Sequence, residues 1–598
     1  MDKLSPAERG GKQYIIYLSA FFLPVAVFFA VCAVLGLYPF GATTALDLDL
    51  PNQYLCYFGY LPSIASGEND LFYTFSKTLG GDMISMLAYY FLSPLNVVFF
   101  FTKPASLPAA ITFVIAAKIG LCGLSFAVCA PKRRADASVL LFSTAYALMS
   151  YNITYASNLM WLDAVYLLPV IVCGMERILR DESPALYALA LAVCLAVNYY
   201  IGYMVCIFCV LWFAYRLFAA PAGSVNIKSS LSRFALASFF AGGLAAVILV
   251  PTFLSLDGTK AAVNADWTSL ALVYSPRDLI RKLFSCSVLG NGETGVAPNI
   301  YCGILSSAFV LAYFINPQIK RRERVCSGVL LLVLLISVAL RGTYIIWHGF
   351  SLPAGFPHRN SFLISFVMLF LAWRSYELSN GLTKKSFLLA FAVLAGVTAV
   401  GVVFTSVLSS LTAILDLLAL AVAFIALYFA QRGLSRRAVA VIFAVIQFGT
   451  LFENSLCLRE HPHSASVPLD YAAYTEQTRL ESGSADAIKA YDSGFYRVAE
   501  SKGGGLPQGS LNTPMKYAYN GVSHFSSTEK NAVKRFMADL GYISYKEFGA
   551  SYGTGSTMAA DSLLGIKYVY SALPVDKGYS ALSAISNTNT SEYIYIYE

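Results

Sequence analysis

The sequence predicts a polytopic α-helical membrane protein with a smaller α+β domain at its C-terminal end. Of its 598 residues, 57% are hydrophobic and only 13% are charged, and the mean hydropathy is +0.62. Such values exclude a water-soluble globular protein. The 39 Tyr and 42 Phe suit a chain that meets many membrane interfaces. The net charge of +8 does not indicate nucleic acid, because Lys and Arg fall in short loops between apolar runs.

Apolar runs long enough to cross a bilayer recur along three quarters of the chain. A spanning helix needs about 20 apolar residues, and the first run follows a basic start without a cleavage site, so we expect it to remain as a helix. The candidate spans are 14–37, 83–101, 105–130, 138–156, 160–178, 184–200, 201–220, 233–253, 301–316, 326–342, 359–374, 387–405, 409–429 and 438–453.

The basic loops decide how many of these runs cross the membrane. If 83–101 does not cross, the basic clusters at 131–134, 320–324 and 432–437 all lie on the cytoplasmic side with the N-terminus. If it crosses, every later basic loop is inverted. The positive-inside rule therefore favours about thirteen spans, with 83–101 lying along the outer interface as a helix interrupted by Pro94.

Polar side chains collect in the first outer loop, residues 38–104. Acidic residues just outside a membrane often serve only to solubilise a loop, but here several short motifs accompany them. The loop carries D-x-x-x-Q-Y at 49–54, G-G-D at 80–82 and A-Y-Y-F-L-S-P-L-N at 88–96. Together they resemble the start of the YfhO family of bacterial membrane proteins.

Further motifs extend this resemblance over about residues 14–598. They are W-L-D at 161–163, N-Y-Y-I-G-Y at 198–203, P-N-I-Y-C-G at 298–303 and F-P-H-R-N-S-F at 356–362. The family is related to the GT-C glycosyltransferases, which take a sugar from a polyprenyl-phosphate carrier on the outer side of the membrane. The resemblance therefore implies a GT-C-like bundle with a juxtamembrane helix in the first outer loop, in a bacterial cell membrane.

Asp49 matches the catalytic Asp of the first outer loop in that wider class. Phosphate is already a good leaving group, so the reaction needs a base for the acceptor hydroxyl and no general acid, and a carboxylate within hydrogen-bond reach suffices. Asp47 is the alternate base. The two side chains would point to opposite sides if the segment is extended. Direct attack would invert the anomeric centre, and the family's association with wall polymers implies a teichoic acid-type polymer or a glycolipid as acceptor.

Asp82 supplies another carboxylate, at a position where the family more often has Asn. It could bind a sugar hydroxyl or, with Asp49, a divalent cation such as Mg²⁺ or Mn²⁺, and the sequence leaves the metal requirement open. Gln53 and Tyr54 complete the predicted substrate-binding residues of this loop. Asp163 is either a helix cap or a site residue, and the neighbouring Trp161 is predicted to anchor the interface.

Cationic groups for the leaving phosphate are predicted in the outer segment 341–361. The guanidinium of Arg359 lies in the segment that resembles the family's F-P-x-R motif, and its planar donors match phosphate oxygens. His358, His348 and Arg341 are further candidates. Arg341 could equally reach lipid headgroups, and His358 could be a plain interface residue.

The remaining loops and the C-terminal part complete the predicted organisation. Loop 254–300 is predicted to lie on the outer side and is long enough to act as a lid over a substrate cavity. Residues 1–453 are expected to form the membrane domain, and 454–598 an extracytoplasmic α+β domain with a helix near 528–541 and strands at 566–570 and 593–597. Family members usually continue beyond this point, so the chain is a short member or a piece of a longer one. The twelve Cys show no metal-ligand spacing and are expected to be core residues, without disulfides.

Two other functions compete with glycosyl transfer. A transporter or flippase of a lipid-linked molecule would place ionisable groups at the bilayer midplane, where this chain has only Lys118 and Asp416. A non-catalytic membrane scaffold would leave Asp49 and the outer Arg residues without a role. The concentration of polar residues at one face favours the transferase.

Overall fold

The chain folds into two compact units that interleave along the sequence. The structure is a computed structural model, and it describes residues 6–130, 137–259, 266–286, 297–353, 355–378, 388–389, 392–396, 410–430, 435–460, 469–501, 511–545, 549–552, 555–575, 578–586 and 593–598. The first unit comprises Met1–Leu35, Ile115–Ala245 and Asn264–Ser464, and the second comprises Gly36–Val114, Ala246–Val263 and Ala465–Glu598.

The described part of the first unit is built from helices. Ile304–Ile315 packs against Ser361–Glu377, and Leu162–Leu179 packs against Ala185–Val197. The helices that contribute to this unit are Pro6–Val34, Leu107–Cys129, Val139–Ala147, Ser150–Thr154, Leu162–Leu179, Ala185–Val197, Tyr199–Ala219, Ile227–Ser255, Pro276–Arg281, Ile304–Ile315, Arg321–Ala339, Arg341–Trp347, Ser361–Glu377, Ser410–Ala430 and Arg436–Glu460.

Polar side chains mark where these helices break. The predicted span 138–156 is two helices rather than one, because Asn152 donates its side-chain amide to the carbonyls of Tyr146 and Ala147 at 2.9 Å each. These carbonyls at a helix end would otherwise lack partners. Asn198 likewise caps the next break, since its side chain accepts from the backbone N–H of Ile201 at 2.9 Å.

Several helices have the length and apolar composition of membrane spans. Among the described residues these are Gln13–Val34, Pro104–Cys129, Tyr199–Ala219, Ile227–Ser255 and Arg437–Glu460. Shorter apolar helices, including Ala185–Val197 and Ile304–Ile315, occupy other predicted spans. The predicted span 387–405 lies largely outside the described residues, so the count of about thirteen stays a prediction.

The segment 83–101 is bent rather than a single helix. Its helical parts, Ile84–Phe91 and Pro94–Phe101, meet at an angle of 104°. Ser93 is extended, with ψ 130°, because the ring of Pro94 disfavours a helical conformation in the residue before it. The predicted break at Pro94 is confirmed, and the two helical parts are sharply bent at it. Its placement along the outer interface stays a prediction.

The described part of the second unit combines helices with three small sheets. Strands Tyr73–Thr74 and Gly81–Asp82 form an antiparallel pair. A four-stranded sheet has the order Arg497–Ser501, Ile566–Ser571, Tyr593–Tyr597, Ala581–Ser586, with its first pair parallel. A three-stranded sheet has the order His524–Phe525, Gly549–Ser551, Ile543–Tyr545. The helices are Leu50–Tyr54, Leu55–Ala65, Ile84–Met86, Leu87–Phe91, Pro94–Phe101, Pro104–Ser106, Tyr471–Tyr491, Thr513–Lys516, Asn531–Asp539 and Met558–Leu564.

The predicted C-terminal elements are therefore present, at 531–539, 566–571 and 593–597. They share their unit with the first loop. The ring of Tyr38 stacks on that of Tyr471 at 4.4 Å, and the amide of Gly521 donates to the carbonyl of Phe75. The predicted boundary between 1–453 and 454–598 follows polarity and stays a prediction, whereas the compact units do not follow that boundary.

One pair of cysteines departs from the expected absence of disulfides. The sulfurs of Cys286 and Cys457 are 2.39 Å apart and their Cα atoms 5.4 Å apart, across a sequence separation of 171 residues. Sequence spacing did not indicate the pair, because the two residues lie far apart in the chain. The expectation of core cysteines holds for Cys122, Cys194 and Cys209, which are buried and free.

Candidate functional site

Asp49 lies where the first loop begins its helix in the second unit. It is the N-cap residue of the turn Leu50–Tyr54, which continues into Leu55–Ala65. Its backbone carbonyl accepts from the N–H of Gln53 at 2.9 Å, and its carboxylate oxygen Oδ2 lies 3.4 Å from the hydroxyl of Tyr54. The side chain is partly exposed. A carboxylate in this position can accept a proton from an incoming hydroxyl.

Asp47 precedes a turn and not an extended strand. Leu48, between the two aspartates, has φ 57°, and the carbonyl of Asp47 accepts from the amide of Leu50 at 3.1 Å. The left-handed residue reverses the chain direction locally, so the alternation of side chains expected for an extended segment does not apply here.

Gln53 and Tyr57 lie one helical turn apart and bind a C-terminal residue of the same unit. The buried side-chain amide of Gln53 donates to the hydroxyl of Tyr57 at 3.0 Å, and that hydroxyl donates to the carbonyl of Phe525 at 2.7 Å. Sequence reasoning missed Tyr57. The spacing of four residues in Asp49, Gln53 and Tyr57 could have indicated it, because side chains four apart share one helix face.

Asp82 is held by the chain around it. Its Oδ1 accepts from the hydroxyl of Ser255 at 2.5 Å, and its carbonyl accepts from the ammonium of the buried Lys77 at 3.2 Å. These contacts give Asp82 an anchoring position in the second unit. Its predicted role toward sugar or metal stays a prediction.

Arg359, in the first unit, lies among aromatic side chains. The centre of its guanidinium is 5.0 Å from the ring of Trp161 and 5.2 Å from the ring of Tyr200. Its Nε donates to the carbonyl of Phe356 at 3.1 Å and one Nη to the carbonyl of Gly355 at 3.2 Å. Stacked rings and carbonyls fix the plane of the guanidinium, which an anion-binding group requires.

Trp161 is buried, with 1% of its surface exposed, so the prediction of an interface anchor is wrong. Its ring also contacts Tyr155 at 5.4 Å, and the hydroxyl of Tyr155 donates to the carbonyl of Pro357 at 2.5 Å. The W-L-D motif thus belongs to the surroundings of Arg359. Tyr200 belongs to the N-Y-Y-I-G-Y motif, which did not indicate its contact with Arg359.

The two predicted histidines are fully buried in the same unit. Both rings pack on Tyr344, with centroids 4.3 Å away for His348 and 5.0 Å away for His358. His348 Nδ1 lies 2.7 Å from the carbonyl of Tyr344. Burial lowers the pKa of His348 to about 3, so its ring is neutral at physiological pH. A neutral imidazole can pack against Tyr344 but brings no positive charge to a phosphate.

Arg341 and Asp163 have different surroundings from Arg359. Arg341 is exposed at the start of the helix Arg341–Trp347, and its amide donates to the carbonyl of Ala271 at 2.8 Å. Asp163 is fully buried and pairs with the ammonium of Lys118 at 2.7 Å. Asp163 lies in the first turn of its helix, one residue beyond Leu162 and two beyond the N-cap Trp161, so the cap interpretation is wrong.

The long loop contributes a buried cation that the sequence did not single out. Lys282 is 1% exposed, and its Nζ lies 2.6 Å from the side-chain oxygen of Asn299. Burial lowers the pKa of Lys282 to about 7. The amides of Arg341 and Gly342 donate to carbonyls of Ala271 and Ser269. These bonds tie part of the loop in place, and its role as a lid stays a prediction.

The described residues do not include a group of three or more His, Cys, Asp or Glu side chains arranged to hold a metal ion. Among the described residues, no third His, Cys, Asp or Glu side chain joins Asp49 and Asp82 in such a group.

Comparison with known proteins decides the family. The model of the family described as bacterial membrane protein YfhO matches residues 19–597. The chain belongs to the YfhO family. With its apolar helices, this membership identifies a multi-pass membrane protein. A relative in Bacillus subtilis (strain 168), described as uncharacterized protein YfhO, is 24% identical over 419 residues, which are 68% of this chain and 45% of the relative. The chain thus spans about half the length of that relative.

Solved structures show where else this YfhO fold occurs. The arabinofuranosyltransferase AftD from Mycobacteria superposes with a TM-score of 0.51 at 14% identity, over 97% of this chain and 39% of AftD. ArnT from Cupriavidus metallidurans, whose structure was solved with undecaprenyl phosphate, has a TM-score of 0.45 at 13% identity, over 96% of this chain and 97% of ArnT. The likeness to AftD shows a shared fold.

Proposed function

We propose that this YfhO-family protein is a membrane glycosyltransferase. It would move a sugar from a polyprenyl-phosphate carrier to an extracytoplasmic acceptor, such as a teichoic acid-type wall polymer or a glycolipid. The observation that carries the proposal is the place of Asp49, a partly exposed carboxylate at the N-cap of the turn Leu50–Tyr54 in the first loop, in a chain with the fold of an arabinofuranosyltransferase. A fold by itself does not specify a reaction, so the proposal depends on Asp49 as the base that this reaction needs.

In the proposed reaction Asp49 accepts the proton of the acceptor hydroxyl as its oxygen attacks the anomeric carbon. The bond between that carbon and the phosphate oxygen breaks, and the electron pair leaves with the phosphate. The product is a glycoside of inverted configuration and a free polyprenyl phosphate. General base catalysis of this kind contributes about 10²–10⁴-fold to the rate.

Arg359 is the proposed partner of the leaving phosphate. Its guanidinium stays charged at any working pH, and its plane is fixed by Trp161 and Tyr200. A preoriented cation stabilises the charge that grows on the phosphate in the transition state. His348 and His358 support this group from the surrounding aromatic packing, since their rings contact Tyr344.

The test uses the purified full chain in liposomes with a radiolabelled polyprenyl-phosphate sugar. We expect release of sugar to acceptor or water, and a fall of about a hundredfold or more in Asp49→Asn. Glu68→Gln is the matched control, because Glu68 is an exposed carboxylate of the same loop that pairs with Lys489. Normal turnover by Asp49→Asn would remove the base assignment. Transfer of intact lipid across the bilayer without cleavage would establish a flippase instead. If the protein shows neither activity, the non-catalytic scaffold is favoured.

A further inference from the structure

A groove opens beside the beginning of the helix Arg321–Ala339 in the first unit. It has a volume of about 450 Å³ and is lined by Phe314, Arg321, Arg324, Val325 and Gly328. The residues of the candidate functional site do not line it. Two guanidinium groups and three apolar or small residues thus share one opening at the end of a helix.

Among the described residues, the two arginines of this groove lack the acidic partners that nearby basic residues have. Nearby basic residues have acidic partners: Arg374 pairs with Glu323 at 3.2 Å and Arg216 pairs with Glu176 at 2.6 Å. In the part of the chain that the structure describes, no carboxylate lies within ion-pair distance of Arg321 or Arg324.

Arg324 is only partly satisfied by its surroundings. One of its Nη atoms donates to the carbonyl of Phe314 at 2.9 Å, whereas its Nε is buried and has no hydrogen-bond partner among the described residues. A buried donor without a partner is costly. The arrangement therefore favours an anion that comes from outside the chain.

An apolar face continues from the groove along the same helix. Val325, Val329, Leu332 and Ile336 are all exposed, and their spacing of four, three and four residues puts them in one row. Gly328 keeps the row open toward the groove, because a Cβ there would meet only the ring of Phe314, at 3.4 Å. Such a row suits an acyl chain lying along the helix.

We propose that this groove binds an anionic glycerophospholipid, with its phosphate on Arg321 and Arg324 and an acyl chain along the Val325–Ile336 row. Arginine presents planar paired donors to phosphate, and basic pockets between membrane helices are sites for acidic headgroups. The opening has room for a glycerophosphate headgroup and not just a phosphate monoester. The basic cluster 320–324 is predicted to face the cytoplasm, which makes the inner leaflet the source.

The test measures lipid retention by native mass spectrometry of the purified full chain, titrated with phosphatidylglycerol or with phosphatidylcholine of the same acyl chains. We expect wild-type protein to hold one phosphatidylglycerol about tenfold more tightly than phosphatidylcholine. The double variant Arg321→Gln/Arg324→Gln should lose that preference. Arg177→Gln is the control, because Arg177 is an exposed arginine already paired with Glu182, and it should retain the preference.

A second variant keeps the proposal testable if the double variant does not fold. Gly328→Leu fills the opening without changing charge, and we expect it to weaken retention of phosphatidylglycerol about tenfold. Equal retention of both lipids by the wild type, or wild-type retention in both variants, would overturn the proposal. Displacement of phosphatidylglycerol by undecaprenyl phosphate at equal concentration would also overturn it, because the occupant would then be a polyprenyl lipid.

Discussion

At the scale of single residues, Arg359 and Arg341 show how position separates two similar side chains. The guanidinium of Arg359 lies over the rings of Trp161 and Tyr200 and is held by them, whereas Arg341 is exposed at a helix start. An exposed arginine pays conformational entropy to bind an anion, while a held one has its donors already oriented. Of these two arginines, only Arg359 should contribute to binding of the proposed polyprenyl-phosphate donor.

Arg359→Lys should raise KM for the polyprenyl-phosphate sugar about tenfold or more, because lysine keeps the charge but loses the planar pair of donors. Steady-state kinetics in liposomes would measure it. Arg341→Lys serves as the comparison and should change KM less than twofold. If both variants behave alike, Arg359 is not the phosphate ligand.

Because His348 is buried, we expect the free energy of unfolding to depend on pH. The pKa of its buried ring is lowered from 6.5 to about 3. Between these values the unfolded chain binds a proton that the folded chain does not, so stability is lost as pH falls below about 6.5, by up to about 1.4 kcal/mol per pH unit. Thermal unfolding from pH 8 to pH 4 should therefore show a smaller loss in His348→Gln than in wild type. Parallel curves for the two proteins would contradict the assignment.

At the scale of elements, the ion pair of Lys118 and Asp163 links two helices inside the first unit. Both side chains are fully buried, Lys118 also donates to the carbonyl of Leu159, and Asp163 accepts from the hydroxyl of Tyr166 at 2.8 Å. Ionisable groups within membrane helices often mark transport paths, but these two are satisfied by each other and by their neighbours. The pair therefore links Leu107–Cys129 to Leu162–Leu179.

Removal of one partner should therefore destabilise the protein more than removal of both. Lys118→Met leaves a buried carboxylate without its cation and should cost about 3–5 kcal/mol. Lys118→Met/Asp163→Leu should recover most of that loss. Thermal unfolding followed by size-exclusion chromatography would compare the three proteins. A double variant as unstable as the single one would mean that the pair is not the main contact.

Most of the helices could be predicted from apolar runs, because a span needs both length and continuous apolarity. Not every break between these helices could be predicted. The break within 138–156 depends on Asn152 reaching back to two carbonyls, and nothing in the local composition separates this Asn from one that faces a neighbouring helix. Pro94 could be recognised, because its ring restricts the preceding residue in any context.

At the scale of the whole molecule, the Cys286–Cys457 disulfide joins the long loop to the end of the last described helix of the first unit. Disulfides persist on the oxidising side of a membrane. We therefore expect both residues on the extracytoplasmic side, in agreement with the predicted orientation of loop 254–300. Residues 285 and 286 are held further by bonds from their amides to Asp416 and Asn454.

A non-reduced digest of protein purified from membranes should contain the peptide joined through Cys286 and Cys457, and reduction should release its two parts. Cys286→Ser/Cys457→Ser should lower the apparent Tm, since a bridge across a long segment typically contributes about 2–4 kcal/mol. Cys326→Ser, which changes a free cysteine, controls for loss of a thiol. Free thiols at both positions in unreduced protein would refute the bridge.

The candidate functional residues could be predicted only in part, because the sequence shows polar residues but not their contacts with distant parts of the chain. The polarity of Asp49, Arg359 and Asp82 is visible in a chain that otherwise avoids charge. The contacts around these residues could not be predicted from the sequence. Tyr57 binds the carbonyl of Phe525 and Arg359 lies over the ring of Tyr200, and these residues are too far apart in the sequence for a local pattern to indicate the contacts. Asp163 has the same chemistry as Asp49 and proved to be buried in an ion pair.

The second unit draws its first loop and its C-terminal sheets from opposite ends of the sequence. Residues 36–114 leave the ribosome about 350 residues before 465–598 are made, which at about 5–20 residues per second is an interval of roughly 20–70 s. During that interval the hydroxyl of Tyr57 has no Phe525 carbonyl to bind. The segment that carries Asp49 can therefore acquire its final conformation only late in biosynthesis. Nascent chains must then be inserted in the membrane well before they are competent for the proposed glycosyl transfer.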